Sequence, residues 1–180
     1  MDNLLNSGDI FNNPNVLKKF SEQNFKNSDV VFGNTIVKNK LYKRYLLGKK
    51  LNSISAKMPF SHQSVFVKTK ILKKYKFNTK YKIASDFDLF QKILKKKKFF
   101  HHFNYYVSQV STGGISDLKR LYCLFEYFQI FIFNRKLINI FFQFFQILWL
   151  SIATILKKLL SNKIANKLLL LKYKLKNKIN

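Results

Sequence analysis

The apolar positions of the chain change their period along its length. Up to about residue 116, short extended runs alternate with short amphipathic stretches, whereas beyond it the pattern is helical alone. Leu4-Leu5 running into Asn6-Ser7-Gly8-Asp9 reads as the tail of a buried strand that enters a tight loop. Asn13-Pro14 supplies an N-cap followed by a proline suited to the first helical turn, and predicts a short helix through about residue 23. Residues 29–33 read as a buried strand, and 35–37 and 41–45 as two further extended runs around a turn at 38–40. The polar segment 48–57 is of the kind that crosses a surface. A strand at 64–67 follows the proline-marked entry at Pro59 and leads into a short helix ending near Tyr75. Residues 99–103 and 105–110 predict two more strands broken near Asn104, before a loop at 111–116 that carries two glycines.

Between these lies the stretch Tyr81-Lys-Ile-Ala-Ser-Asp-Phe-Asp-Leu-Phe90. Ser85 is a good N-cap, Asp86 and Asp88 fall in the first turn, and Leu89, Phe90, Ile93 and Leu94 recur at helical spacing before a basic end at 95–98. Complementing the helix dipole is the plain reading of the two acids, worth about 0.3–1 kcal/mol each. Positions two apart on a helix differ by about 200°, so Asp86 and Asp88 cannot serve one direction.

The last third is different. Residues 137–156 form a run without formal charge, flanked by Arg135-Lys136 and Lys157-Lys158 and long enough to cross a bilayer. Asn139, Gln143 and Gln146 draw a polar stripe down one side, however, and basic residues stand at both ends. That combination predicts a helix lying in the head-group plane of an anionic membrane, continued by a basic amphipathic tail to residue 180. A helix that covers the domain or self-associates would use the same apolar face.

Composition sharpens this picture only in part. The net charge is +26 with eight acidic residues, but Lys outnumbers Arg by 31 to 3 and Asn, Ile, Phe and Tyr abound, a set that A/T-rich codons produce. Readers of nucleic acid favour Arg for bidentate contacts, and no reader module is visible, so the charge points to anionic surfaces generally and to no specific nucleic acid. The single cysteine, Cys123, sits in an apolar helical run and reads as a small buried hydrophobe. His101 and His102 lack a third partner for a metal site. The start of the chain has no charged, apolar and small-residue succession of a signal peptide.

Four segments, Leu5-Asn-Ser-Gly-Asp9, Pro59-Phe-Ser-His-Gln-Ser64, Ile83-Ala-Ser-Asp-Phe-Asp-Leu-Phe90 and Gly113-Gly-Ile-Ser116, together resemble in order and spacing the C-terminal portion of family 2 GT-A glycosyltransferases of the bacterial surface-polysaccharide type. The resemblance covers residues 1–116 and implies an α/β fold: an incomplete, Rossmann-like GT-A domain lacking its N-terminal nucleotide-binding strands. A helical, basic, membrane-associated tail over 117–180 would follow it. It implies that Asp86 is the general base of an inverting transfer from a nucleotide-sugar donor to a glycan or lipid-linked acceptor. Asp9 takes the place of the last carboxylate of the family's metal motif, for Mg²⁺ or Mn²⁺. His62 takes an acceptor-side or diphosphate-side place, Asp88 a structural or acceptor-binding one, and Gly113, Gly114 and Ser116 match the family's acceptor-side loop. Two departures stand out: Ser7 and Gly8 leave one carboxylate where many members have two, and Ser85 replaces the first acid of the catalytic pair.

The residues by themselves keep plainer alternatives open. Asp9 suits an Asx-type turn, His62 a packing role, and Gly113-Gly114 an ordinary turn. The resemblance further implies a separate N-terminal half as partner, weak or no transfer by this chain alone, and a cytoplasmic place on the inner face of the membrane. A non-catalytic basic membrane-binding protein derived from such an enzyme is the competing expectation.

Overall fold

The computed structural model describes residues 1–6, 8–38, 42–49 and 58–159, the last four of these by backbone only. The turn at 39–41, most of the polar segment at 50–57 and the tail at 160–180 lie outside the described residues. The fold is mixed α/β. A curled mixed sheet carries helices on both faces, and the helices run on beyond it.

Strand β1 (Asp2–Asn3) and strand β2 (Ile10–Phe11) are two-residue pieces at opposite ends of the main sheet path. Helix α1 (Val16–Ser21) follows, then β3 (Val30–Lys38), β4 (Lys43–Leu46), a single 3₁₀ turn (His62–Ser64) and β5 (Val65–Val67). Helix α2 (Thr69–Tyr75), helix α3 (Ser85–Lys95) and β6 (Phe100–Ser111) complete the sheet, in the order β1-β5-β3-β6-β2 with β4 also on β3. The β3–β6 pairing is parallel and the others antiparallel. Helices α4 (Ile115–Leu118), α5 (Arg120–Phe133) and α6 (Leu137–Leu159) follow.

Side chains alternate across β3 as its period of two requires. Val30 and Phe32 join Val65, Val67, Phe87, Phe90, Ile93 and others on the face covered by α3, and Val31 joins Val16, Phe25, Phe66, Phe103 and Val107 on the face covered by α1. Each fully buried side chain of this size contributes roughly 1.5–3 kcal/mol. The core does not stop at residue 116, because Ile130 and Phe131 of α5 are fully buried in the larger cluster.

The hairpin expected around 38–40 is present as β3–β4, with Lys38 opposite Lys43. Other expectations need correction. Leu4-Leu5 is not the end of a buried strand: the strand is the short edge piece β1, and both leucines are half-buried past its end. Residues 29–33 and 35–37 are one strand, since Gly33 continues β3 instead of ending it. The two strands expected either side of Asn104 are likewise the single strand β6. The irregularity sensed there is a bulge: the partner of Phe32 is His102 and that of Asn34 is Tyr106, so β6 takes up extra residues opposite Gly33. A Cβ on Gly33 would overlap the Val107 side chain and lie 2.9 Å from the Tyr105 carbonyl oxygen, which is why glycine stands there. The Asn34 amide nitrogen donates to Asn104 Oδ1 across this point (3.2 Å).

A buried hydroxyl hub lies beside it. Ser64 Oγ donates to the Asn34 carbonyl (2.9 Å) and accepts from Thr35 and Ser108, each 2.6 Å away. All three hydroxyl residues are buried, and the set satisfies itself without water.

Candidate active site

Helix α3 is set by an acid the sequence reading did not use. Its first residue is Ser85 and its cap position is Ala84, one residue earlier than expected, with no local side-chain cap. Glu126 of α5 holds the entry to the helix from outside. Its carboxylate accepts the backbone N–H groups of Lys82 (2.8 Å, Oε1), Ile83 (2.9 Å, Oε2) and Ala84 (2.8 Å, Oε2) and is itself 2% exposed. Of these donors Ala84 is the cap residue of the helix and Lys82 and Ile83 lie in the segment that leads into it, so the carboxylate ties down the approach to α3 and places a negative group near its positive end. Phe87 of α3 stacks on Tyr127 of α5 with ring centroids 4.1 Å apart, which fixes the two helices together next to this contact.

So anchored, α3 presents Asp86 to a cleft of about 1120 Å³. Asp86 Oδ1 accepts the Phe87 N–H (2.7 Å), and Oδ2 lies 2.7 Å from His62 Nδ1. The other ring nitrogen, His62 Nε2, lies 2.9 Å from the amide nitrogen of Asn6. With Asn6 donating to Nε2, the ring proton resides on Nδ1 and is donated to Asp86, a neutral tautomer that satisfies both contacts. Nε2 is thereby occupied. The lone pairs of the Asp86 carboxylate remain the proton acceptor that faces the cleft, with 19% of that side chain exposed.

The cleft gathers most of the residues singled out by the sequence. Asp9, His62, Asp86, Gly113, Gly114 and Ser116 all line it, from four separate parts of the chain. Asp9 sits at a turn whose Asp9 N–H donates to the Asn6 carbonyl (3.1 Å), with Gly8 at φ +89°. Gly113, at φ +90°, lies in a loop held by its N–H donating to Asp117 Oδ2 (3.1 Å), and Gly114 is the cap of α4. Asp88 stands apart. It is 3% exposed, does not line the cleft, and Lys92 Nζ lies 2.6 Å from its Oδ2, so of the two roles open to it the geometry fits the structural one.

Two features escaped sequence reasoning besides Glu126. Of three arginines in a chain dominated by lysine, Arg44 and Arg120 both line the cleft, joined by Lys82. Such a concentration of planar, always charged donors suits phosphate oxygens. Scarcity was the available signal for all of these: the lone acid of α5 and two of the few arginines. Cys123 also borders the cleft but is buried, and burial, aided by the nearby Asp86 carboxylate, pushes its thiol up to about 11. It is not an activated nucleophile.

The fit to a divalent cation is poor on the donor set. Among the described residues, no three His, Cys, Asp or Glu side chains cluster as metal ligands, and Asp9 brings a single carboxylate. No protein-family model, curated protein or solved structure matches this chain, so the chemistry of the cleft is read from its own geometry.

Proposed function

We propose that this cleft belongs to an inverting glycosyl transfer from a nucleotide-sugar donor to a hydroxyl of a glycan or lipid-linked acceptor. The observation that carries the reading is the convergence of a rigidly held Asp86 with Asp9 and the Gly113-Gly114 loop on one crevice, in the order that the glycosyltransferase resemblance implies. In the step itself the acceptor oxygen attacks the anomeric carbon and its proton passes to the Asp86 carboxylate. The carbon–oxygen bond to the nucleotide diphosphate breaks, and its electron pair leaves with the diphosphate. His62 is a positioning residue: it holds the carboxylate in one rotamer. Arg44, Lys82 and Arg120 supply positive charge for the departing diphosphate.

The finer architecture is part of the same proposal: the sheet is the acceptor-side portion of a GT-A domain, and a separate nucleotide-binding half completes the donor site. The test is nucleotide-sugar turnover by the full chain combined with a nucleotide-binding half. Asp86→Asn is expected to lower turnover by about 10²–10⁴. Turnover unchanged by that substitution would overturn the role of Asp86, and no turnover from the unsubstituted pair would favour a non-catalytic binding protein.

A further inference from the structure

Helix α6 is built inside out for a water-soluble protein. Its polar stripe faces inward: Gln143 is fully buried, with Nε2 donating to the Leu124 carbonyl of α5 (3.3 Å), and Gln146 Oε1 is also buried. The stripe expected to meet head groups therefore meets the protein. The opposite side is apolar and open, with Phe141 67%, Leu148 46%, Trp149 73% and Ile155 60% exposed. At 100° per residue, the exposed apolar positions from Phe144 round to Phe142 sweep a continuous arc of about 160°. Helix α5 extends this surface with Phe125, Ile132 and Phe133, also exposed. Between residues 121 and 156 the formal charges are Glu126, which is buried, and Arg135 and Lys136 at the turn between the helices.

We propose that the outer side of the α5–α6 hairpin seats in one leaflet of an anionic bilayer, with the axis of α6 in the membrane plane. A surface of this breadth is what an interfacial helix offers to the acyl boundary, while a soluble domain normally turns such a face to its core. The axis lies flat because the inward side is already engaged: Ile140 packs on the core cluster that contains Phe131, and Gln143 on α5. Crossing the membrane would either strip α6 from α5, leaving both glutamines in hydrocarbon, or drag Glu126 in with it. Lipid is favoured over a second copy of the chain by charge. A net +26, with lysines and no acid after residue 156, opposes self-association and complements anionic head groups. The inference does not depend on the transferase reading.

Trp149 is the single tryptophan and lies on the arc, which makes it the probe. The full chain is transferred from detergent to phosphatidylcholine vesicles with or without phosphatidylglycerol, and flotation and fluorescence are followed. Flotation with the anionic vesicles that declines with salt is expected. Bromines placed near the head groups should quench Trp149 more strongly than bromines at the bilayer centre. Phe145→Glu with Leu148→Glu should lower vesicle uptake by about tenfold or more, with an unchanged far-ultraviolet spectrum because both positions are exposed. Stronger quenching from the bilayer centre would overturn the proposal in favour of a span. A concentration-dependent dimer that shields Trp149 and ignores vesicles would overturn it in favour of self-association. The quenching profile of the unsubstituted chain decides even if the double variant misfolds.

Discussion

Replacing Glu126 by Gln tests whether one carboxylate on α5 holds the mouth of α3 in place. The change keeps shape and removes charge. Oε2 now receives two backbone N–H groups and Oε1 one, at 2.8–2.9 Å. A glutamine has one carbonyl oxygen to offer, so in its better orientation it retains the Ile83 and Ala84 contacts as neutral ones and turns its own NH₂ against the Lys82 N–H. Hydrogen bonds to a charged group are worth about 1.5–3 kcal/mol and a buried donor left unpaired costs about 1–3 kcal/mol, so losing one and weakening two amounts to roughly 2–4 kcal/mol. Urea unfolding in mild detergent, followed by circular dichroism, measures this. Hydrogen exchange at the amides of Lys82, Ile83 and Ala84 localises it. Glu22→Gln, which removes an acid from the exposed pair with Lys19, serves as the control and leaves the midpoint unmoved. If Glu126→Gln cost no more than about 0.5 kcal/mol, the range of ordinary surface changes, and those three amides stayed protected, the anchoring role would be refuted.

Three further outcomes follow from the same geometry. Burial, with His101 as neighbour, holds His102 below its usual value of 6.5, so the unfolded chain takes up the proton first as pH falls. The melting temperature should therefore drop from about pH 6.5 downward, levelling once the folded form is protonated too, and His102→Gln should flatten that slope; parallel profiles for the two proteins would contradict this. With the Cys123 thiol raised from 9.0 to about 11, alkylation of the native protein near neutral pH should run about a hundredfold slower than in urea, and equal rates would count against the buried placement. Gly33→Ala should destabilise by about 1–3 kcal/mol by forcing apart β3 and the bulge of β6, and an unchanged unfolding midpoint would show that the strands are not so closely apposed.

What the chain disclosed in advance was mostly local. The amphipathic period of α3 places Asp86 and Asp88 on different sides, and they are indeed parted, one toward the cleft and one beside Lys92. The meeting of Asp9, His62 and Asp86 at one cleft is not local at all, and no periodicity relates residues so far apart in sequence. Glu126 is the lone acid of its helix, but its partners lie more than forty residues upstream, and periodicity says nothing about them. The bulge in β6 was mistaken for a strand end, since the polar Asn104 interrupts the alternation in either case. The stripe on α6 was readable, yet its direction was not, because a helical wheel has no compass: which side is covered depends on α5.

The Ser64 hub carries an implication of its own. A serine has one proton, and Ser64 gives it to the Asn34 carbonyl, so Thr35 and Ser108 must both point theirs at Ser64. Sliding β6 by one residue past β3 would bring Val107 or Gln109 to that spot and strand hydroxyls in a dry interior. Three small side chains thus act as a keyed lock on strand alignment, and they lie in the strands and the turn that carry His62 toward Asp86.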